Sequence, residues 1–320
     1  MDPLLIATRV LHFAGALSLV GVLGFAAFVA DLPSPRLARQ LRVAGRSSAA
    51  LLLLTAPLWL ILVAENMSAE ALPATISHGV PRVVLLDTQF GRALGLRFVL
   101  TLVLLPLLAR LGKDRVLDRA AVLLAAVSVA AIAWQGHAGD ELGRDAVIHL
   151  TADAAHLLAA GLWLGALLPL MLLLRDTIEI DQRYEAAKRF SMLGVICVAA
   201  LLPSGIVNAY YLVGSVPALI GTVYGQILLL KLVIVLAMLA LATVNRGYLV
   251  PRLAARDDHA ARRLARHSGI EALLGLGVIA IVAVLGTMEP ALHEPVVWPF
   301  GAVSPADSSP AMPADHMHQD

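Results

Sequence analysis

The sequence predicts an all-α membrane protein: a polytopic helix bundle of about eight transmembrane helices, with a pattern of two parallel four-helix repeats. Three observations carry that prediction. The 320 residues are 59% hydrophobic and only 15% charged, more apolar surface than a water-soluble domain of this size could bury. The apolar residues fall in runs long enough to cross a bilayer. The connections between those runs alternate in charge.

The runs cover 4–30, 46–66, 91–111, 118–136, 147–175, 190–213, 223–249 and 268–288. Residues 1–289 therefore form the bundle, most clearly over 147–289, and 290–320 form a tail. The first run is read as a retained helix. AFVAD at 27–31 imitates a signal-peptidase site, but only Arg9 precedes it and the run exceeds a typical signal core. Arg36, Arg39, Arg42 and Arg46 follow the first run; Arg110, Lys113, Arg115 and Arg119 follow the third. Arg175, Arg183, Lys188 and Arg189 follow the fifth, and the loop after the seventh holds Arg246, Arg252, Arg256, Arg262, Arg263 and Arg266. The opposite loops offer little beyond Arg82 and Arg144. The positive-inside rule thus predicts an inner-membrane protein with both termini periplasmic.

Several functions are excluded. A net charge of +1 gives no sign of a nucleic-acid partner. The one cysteine, Cys197, rules out an internal disulfide and a CxxC relay. No phosphate-binding loop is present, so ATP-driven pumping by this chain alone is not expected.

The fifth run is the centre of the functional reading. VIHLTADAAHLLAAGLWLGALLPLMLLL carries His149, Asp153 and His156, whose offsets share one helical face that continues to Trp163. Polar groups aligned this way belong in the bundle or a wet cavity, not against lipid. Gly161 and Gly165 form a small-xxx-small pair that admits a neighbouring helix. Most other histidines also fall on the outer side: His12, His78, His137, His293, His316 and His318, with only His259 and His267 inside. That distribution points to a soft or borderline metal met from outside.

LHFAGALSLVG around His12 and AHLLAAGLWLG around His156 share a His-x8-Gly spacing 144 residues apart, ending at Gly21 and Gly165. Four spans per half preserve direction, which makes the halves parallel repeats and puts His12 and His156 at equal depth. Arg97, Asn208 and Lys231 also lie in the outer half; Arg97 and Lys231 either snorkel or line a vestibule. Glu271 and Asn245 lie at the inner end, where an interfacial ion pair with Arg246 or Arg266 is expected for Glu271, over a role in metal or proton exit. The inner half otherwise looks nearly blank. The tail is rich in proline, serine and alanine and reads as disordered, ending in Met312, His316, Met317 and His318, residue types that suit copper.

Two longer stretches, RFSMLGVICVAALLPSGIVNAYYLVGS from Arg189 and TVYGQILLLKLVIVLAMLALATVNRGYLVPRL from Thr222, resemble the copper resistance protein D (CopD) family of bacterial inner-membrane proteins. Glu271-x-x-x-Gly275-x-Gly277 and then LGTMEPALHEPVVWPF resemble the family's C-terminal part. His156 with Trp163 and Gly165 resembles its H-x6-W-x-G signature, and RVLHFAG at 9–15 its first helix. The resemblance spans about 1–300 and leaves the Met/His tail outside. It implies copper transport toward the cytoplasm beside a periplasmic CopC-like copper-binding partner. It does not imply an enzyme.

Together these readings predict a copper permease. Its site is His149, Asp153 and His156, with His12 contributed across the bundle and copper as Cu(I) or Cu(II). Asp153 acts either as a ligand or as a partner that orients an imidazole. Met288, His293, Met312, His316, Met317 and His318 are weaker ligand candidates. The alternative is a membrane haem b oxidoreductase with His12 and His156 as axial ligands, which equal depth also permits.

Overall fold

The computed structural model describes residues 2–30, 34–136 and 143–296. Among the described residues eight helices are long and apolar enough to cross a membrane: Pro3–Val29, Pro35–Ser68, Gln89–Ala109, Arg115–Gln135, Gly143–Leu174, Ile180–Leu212, Val223–Ala254 and Asp258–Leu285. No strand occurs among the described residues. His137 and the tail ligands Met312, His316, Met317 and His318 lie outside them.

Local chemistry sets the helix starts. Asp2 accepts from the Leu4 amide with Pro3 at the first position, and Ser34 accepts from Leu37 with Pro35 behind it. Asp114 and Asp257 cap the fourth and eighth helices in the same way. Thr88 and Thr222 do so for the third and seventh, each accepting from a glycine amide three residues on, at Gly91 and Gly225. Those two caps belong to matching motifs, TQFG and TVYG. In both, a Cβ on the glycine would run into the carbonyls of the preceding short helix, Val80–Asp87 or Val216–Gly221.

The second, sixth and eighth helices begin about ten residues before their apolar runs. Their first turns are the arginine-bearing segments on the side assigned to the cytoplasm. Hydropathy marks the edge of the bilayer, whereas hydrogen bonding continues the helix past it. The fifth helix breaks at Ala166, separating Gly143–Gly165 from Leu167–Leu174.

The first helix is the hub: 67% of its apolar window is buried, against 6% for the seventh. It packs on the second and fourth helices of its own half, as the fifth packs on the sixth and eighth. The halves meet where the first and fifth helices cross. A Cβ on Gly21 would lie 2.1 Å from the Gly165 carbonyl carbon, and one on Gly165 would lie 1.9 Å from the Leu17 oxygen. Gly21 and Gly165 are the residues 144 apart that end the two His-x8-Gly stretches. A residue touching its own counterpart lies on the pseudo-two-fold axis, so the crossing supports the parallel-repeat architecture.

Candidate functional site

The stripe on the fifth helix faces the sixth, as an antiparallel ladder. His149 is buried and stacks on Tyr211, with ring centroids 4.7 Å apart and planes 9° from parallel. One turn inward, the Asn208 amide donates to Asp153 Oδ1 at 3.1 Å. Next, His156 Nδ1 lies 3.1 Å from Ser204 Oγ. Trp163 ends the ladder with Nε1 against the small surface of Gly194. At the outer end, Tyr211 Oη donates to Asp145 Oδ1 at 3.2 Å. Lys231 of the seventh helix stands within electrostatic reach of Asp153 and His156.

The Ser204 hydroxyl fixes how His156 presents itself. It sits 2.6 Å from the Ala200 carbonyl, to which it gives its only proton. It can therefore only accept from His156, so Nδ1 carries the ring proton and Nε2 keeps its lone pair. A neutral imidazole held in this tautomer is the form that ligates a metal through Nε2.

The first half repeats the device. His12 Nδ1 lies 2.8 Å from Thr55 Oγ1, which donates to the Leu51 carbonyl at 2.7 Å. His12 is 1% exposed and its Nε2 has no hydrogen-bond partner among the described residues. Its ring meets Trp59 edge-on at 5.1 Å, and Arg97 of the third helix lies within electrostatic reach. Arg97 does not snorkel: it is 2% exposed and donates through Nη1 to Gln135 Oε1 at 2.5 Å.

The four-residue site expected from sequence is not gathered in one place. His12 turns onto the second helix, while His149, Asp153 and His156 turn onto the sixth. Among the described residues no three His, Cys, Asp or Glu side chains come together as a metal-holding group. The reason is the pseudo-symmetry, which turns each histidine onto the second helix of its own half. Met288 packs beside Tyr224 and Leu285, while His293 is exposed in the turn beyond the eighth helix. His78 is held by Glu70 at 2.9 Å, and His259 by Arg262 at 2.9 Å.

The inner half is less blank than its sequence suggests. Glu271, 1% exposed, accepts from the Asn245 amide at 2.6 Å, and Asn245 Oδ1 lies 2.7 Å from His267 Nδ1. The expected arginine pair is not formed. Arg246, in the π-turn Asn245–Leu249, instead donates to the Ser191 carbonyl and hydroxyl.

Thr55, Trp59, Gln135 and Ser204 are residues that helical periodicity and charge alone do not mark. Part of the signal was present: TQFG and TVYG are each followed six residues later by a basic residue, Arg97 and Lys231.

Comparison with known proteins decides the family. The chain is 32% identical to inner membrane protein YebZ of Escherichia coli (strain K12) over 288 residues, covering 89% of this chain and 98% of that one. The family model for copper resistance protein D matches residues 184–285, and that for the copper resistance protein D-like N-terminal domain matches 1–147. The chain belongs to the copper resistance protein D family. Copper resistance protein D of Pseudomonas syringae pv. tomato is 35% identical over 182 residues, 53% of this chain and 59% of that protein. Copper transport protein CutJ of Bacillus subtilis (strain 168) is 29% identical over 171 residues, 52% of this chain and 30% of that protein. No solved structure matches. The N-terminal model covers the first half and the other the sixth to eighth helices, with the fifth-helix residues His149 to Trp163 between them. These matches give the haem reading no support.

Proposed function

We propose that this member of the family carries copper across the bacterial inner membrane toward the cytoplasm, taking it up at the outer end of the fifth and sixth helices. The observation that carries the reading is His156, whose Nε2 lone pair is kept available by the Ser204 hydroxyl. Copper in either oxidation state accepts imidazole nitrogen. Asp153 and His149 lie one and two turns farther out on the same ladder, and supply negative charge and a second imidazole along the approach. His12 is the weaker ligand, since its neighbours include Arg97 but no carboxylate among the contacts described. The copper-related names of two relatives and the family match along the chain support copper as the cargo.

The arginine-rich loops support an orientation with both termini outside, where a CopC-like partner delivers copper. Met288, His293 and the tail residues Met312, His316, Met317 and His318 then serve capture. The protein acts as a transporter and not as an enzyme. The test is copper flux into sealed vesicles holding the purified protein in known orientation, with Cu(I) and Cu(II) supplied separately outside. Uptake by the parent and its loss in His156→Ala is the expected result; equal flux in both would overturn the site.

A further inference from the structure

Around His12 lie buried hydrogen-bond donors that have no partner among the described residues. Arg97 leaves Nε and Nη2 unpartnered, Gln135 leaves Nε2, and Trp59, itself 1% exposed, leaves Nε1. These groups are linked through His12. Gln135 holds Arg97, Arg97 reaches His12 electrostatically, and the His12 ring meets Trp59. Arg9 adds a second guanidinium, 5.4 Å from the Trp59 ring centre. No carboxylate pairs with Arg97 or Arg9 among the described residues. A guanidinium buried within a membrane bundle without a counter-charge is strongly unfavourable.

The second half shows how the same scaffold is otherwise neutralised. Lys231, at the position matching Arg97, has Asp153 within electrostatic reach. Asp153 lies 144 residues from Arg9, the offset that relates His156 to His12. The two halves thus carry opposite charges at one equivalent position. Where the second half has a carboxylate, the first half has another base and a set of unused N–H groups.

We propose that this first-half pocket binds a small monovalent inorganic anion of the chloride class, held by Arg97, Gln135 and Trp59 in the role that Asp153 fills in the second half. The anion is structural and independent of copper. It balances Arg97, fixes the second and third helices around His12, and accepts the N–H groups that the protein leaves open. Chloride suits the place because it accepts several N–H donors from any direction and needs no donor of its own.

The test uses the full chain, purified without copper and unfolded by heat in chloride or in gluconate at equal ionic strength. Chloride should raise the unfolding temperature of the parent in a saturable way, as binding to the folded state alone requires. Arg97→Gln should lose that dependence. Arg9→Asp, which supplies the carboxylate found in the other half, should fold and be stable without chloride. Equal unfolding temperatures of the parent in the two salts would overturn the proposal, as would a saturable chloride effect that survives in Arg97→Gln. If Arg97→Gln does not fold, a chloride effect retained by Arg9→Asp overturns it instead.

Discussion

The outer pockets of the two halves share a frame and differ in charge. Each has an imidazole whose Nδ1 gives its proton to a hydroxyl on the next helix, Thr55 or Ser204. Each has a basic residue entering nine positions after a capping threonine, Arg97 after Thr88 and Lys231 after Thr222. Around that frame the second half places Asp153, Asn208 and Tyr211, while the first places Arg9, Trp59 and Gln135. The frame sets the tautomer of a histidine, and the surrounding charge decides what the histidine can meet. A carboxylate suits a cation, and a pair of guanidiniums suits an anion.

Breaking the frame itself has the largest expected effect. Gly165→Val puts a branched side chain where a single carbon already meets the Leu17 carbonyl, and the first and fifth helices must separate. Overpacking costs typically ~1–3 kcal/mol even where neighbours can shift, and backbone on both sides shifts little. Both pockets should fail together, seen as loss of folded protein in size-exclusion chromatography and heat unfolding. Gly247→Ala is the control, since nothing lies within 4 Å of its added carbon, and it should leave the yield unchanged.

The next test separates the pockets. Removing an oriented partner of a ligand lowers metal affinity about 10- to 100-fold, and Asp153→Asn should fall in that range while keeping the hydrogen bond to Asn208. His156→Ala should lose more than Asp153→Asn, and His12→Ala less than either. Copper titration of the purified variants in detergent reads all three. An order with His12→Ala the most damaging would move the cargo site into the first half.

The smallest effect is expected from the tail. Deleting 302–320 should weaken copper capture at low concentration and leave flux at saturating copper nearly unchanged, measured in the same vesicles. Loss of flux at high copper would place the tail on the pathway.

The sequence made the architecture legible because bilayer length and arginine asymmetry are properties of the chain itself. It also showed the stripe at His149, Asp153, His156 and Trp163, since helical periodicity is local. What the stripe faces was not legible. Ser204 and Thr55 are unremarkable hydroxyls in apolar helices until the fold brings a histidine to each. Glu271 has arginines near it in sequence, yet it pairs with Asn245 across helices. Arg97 could snorkel by its length and depth, and only the packing around Gln135 holds it inside. Partner choice across helices depends on rotation about each axis, which hydropathy leaves free.

The contact of Gly21 with Gly165 has a consequence for how the halves can diverge. Two separate copies of one half, meeting at the same crossing, would form an isologous interface with every position duplicated. Such a homodimer would have to carry either two copies of Arg9 or two of Asp153. A single covalent chain is free of that constraint: each half keeps the shared crossing, and each pocket varies alone. Joining the halves end to end is therefore what permits a carboxylate on one side of the axis and a guanidinium on the other, at equal depth in one membrane bundle.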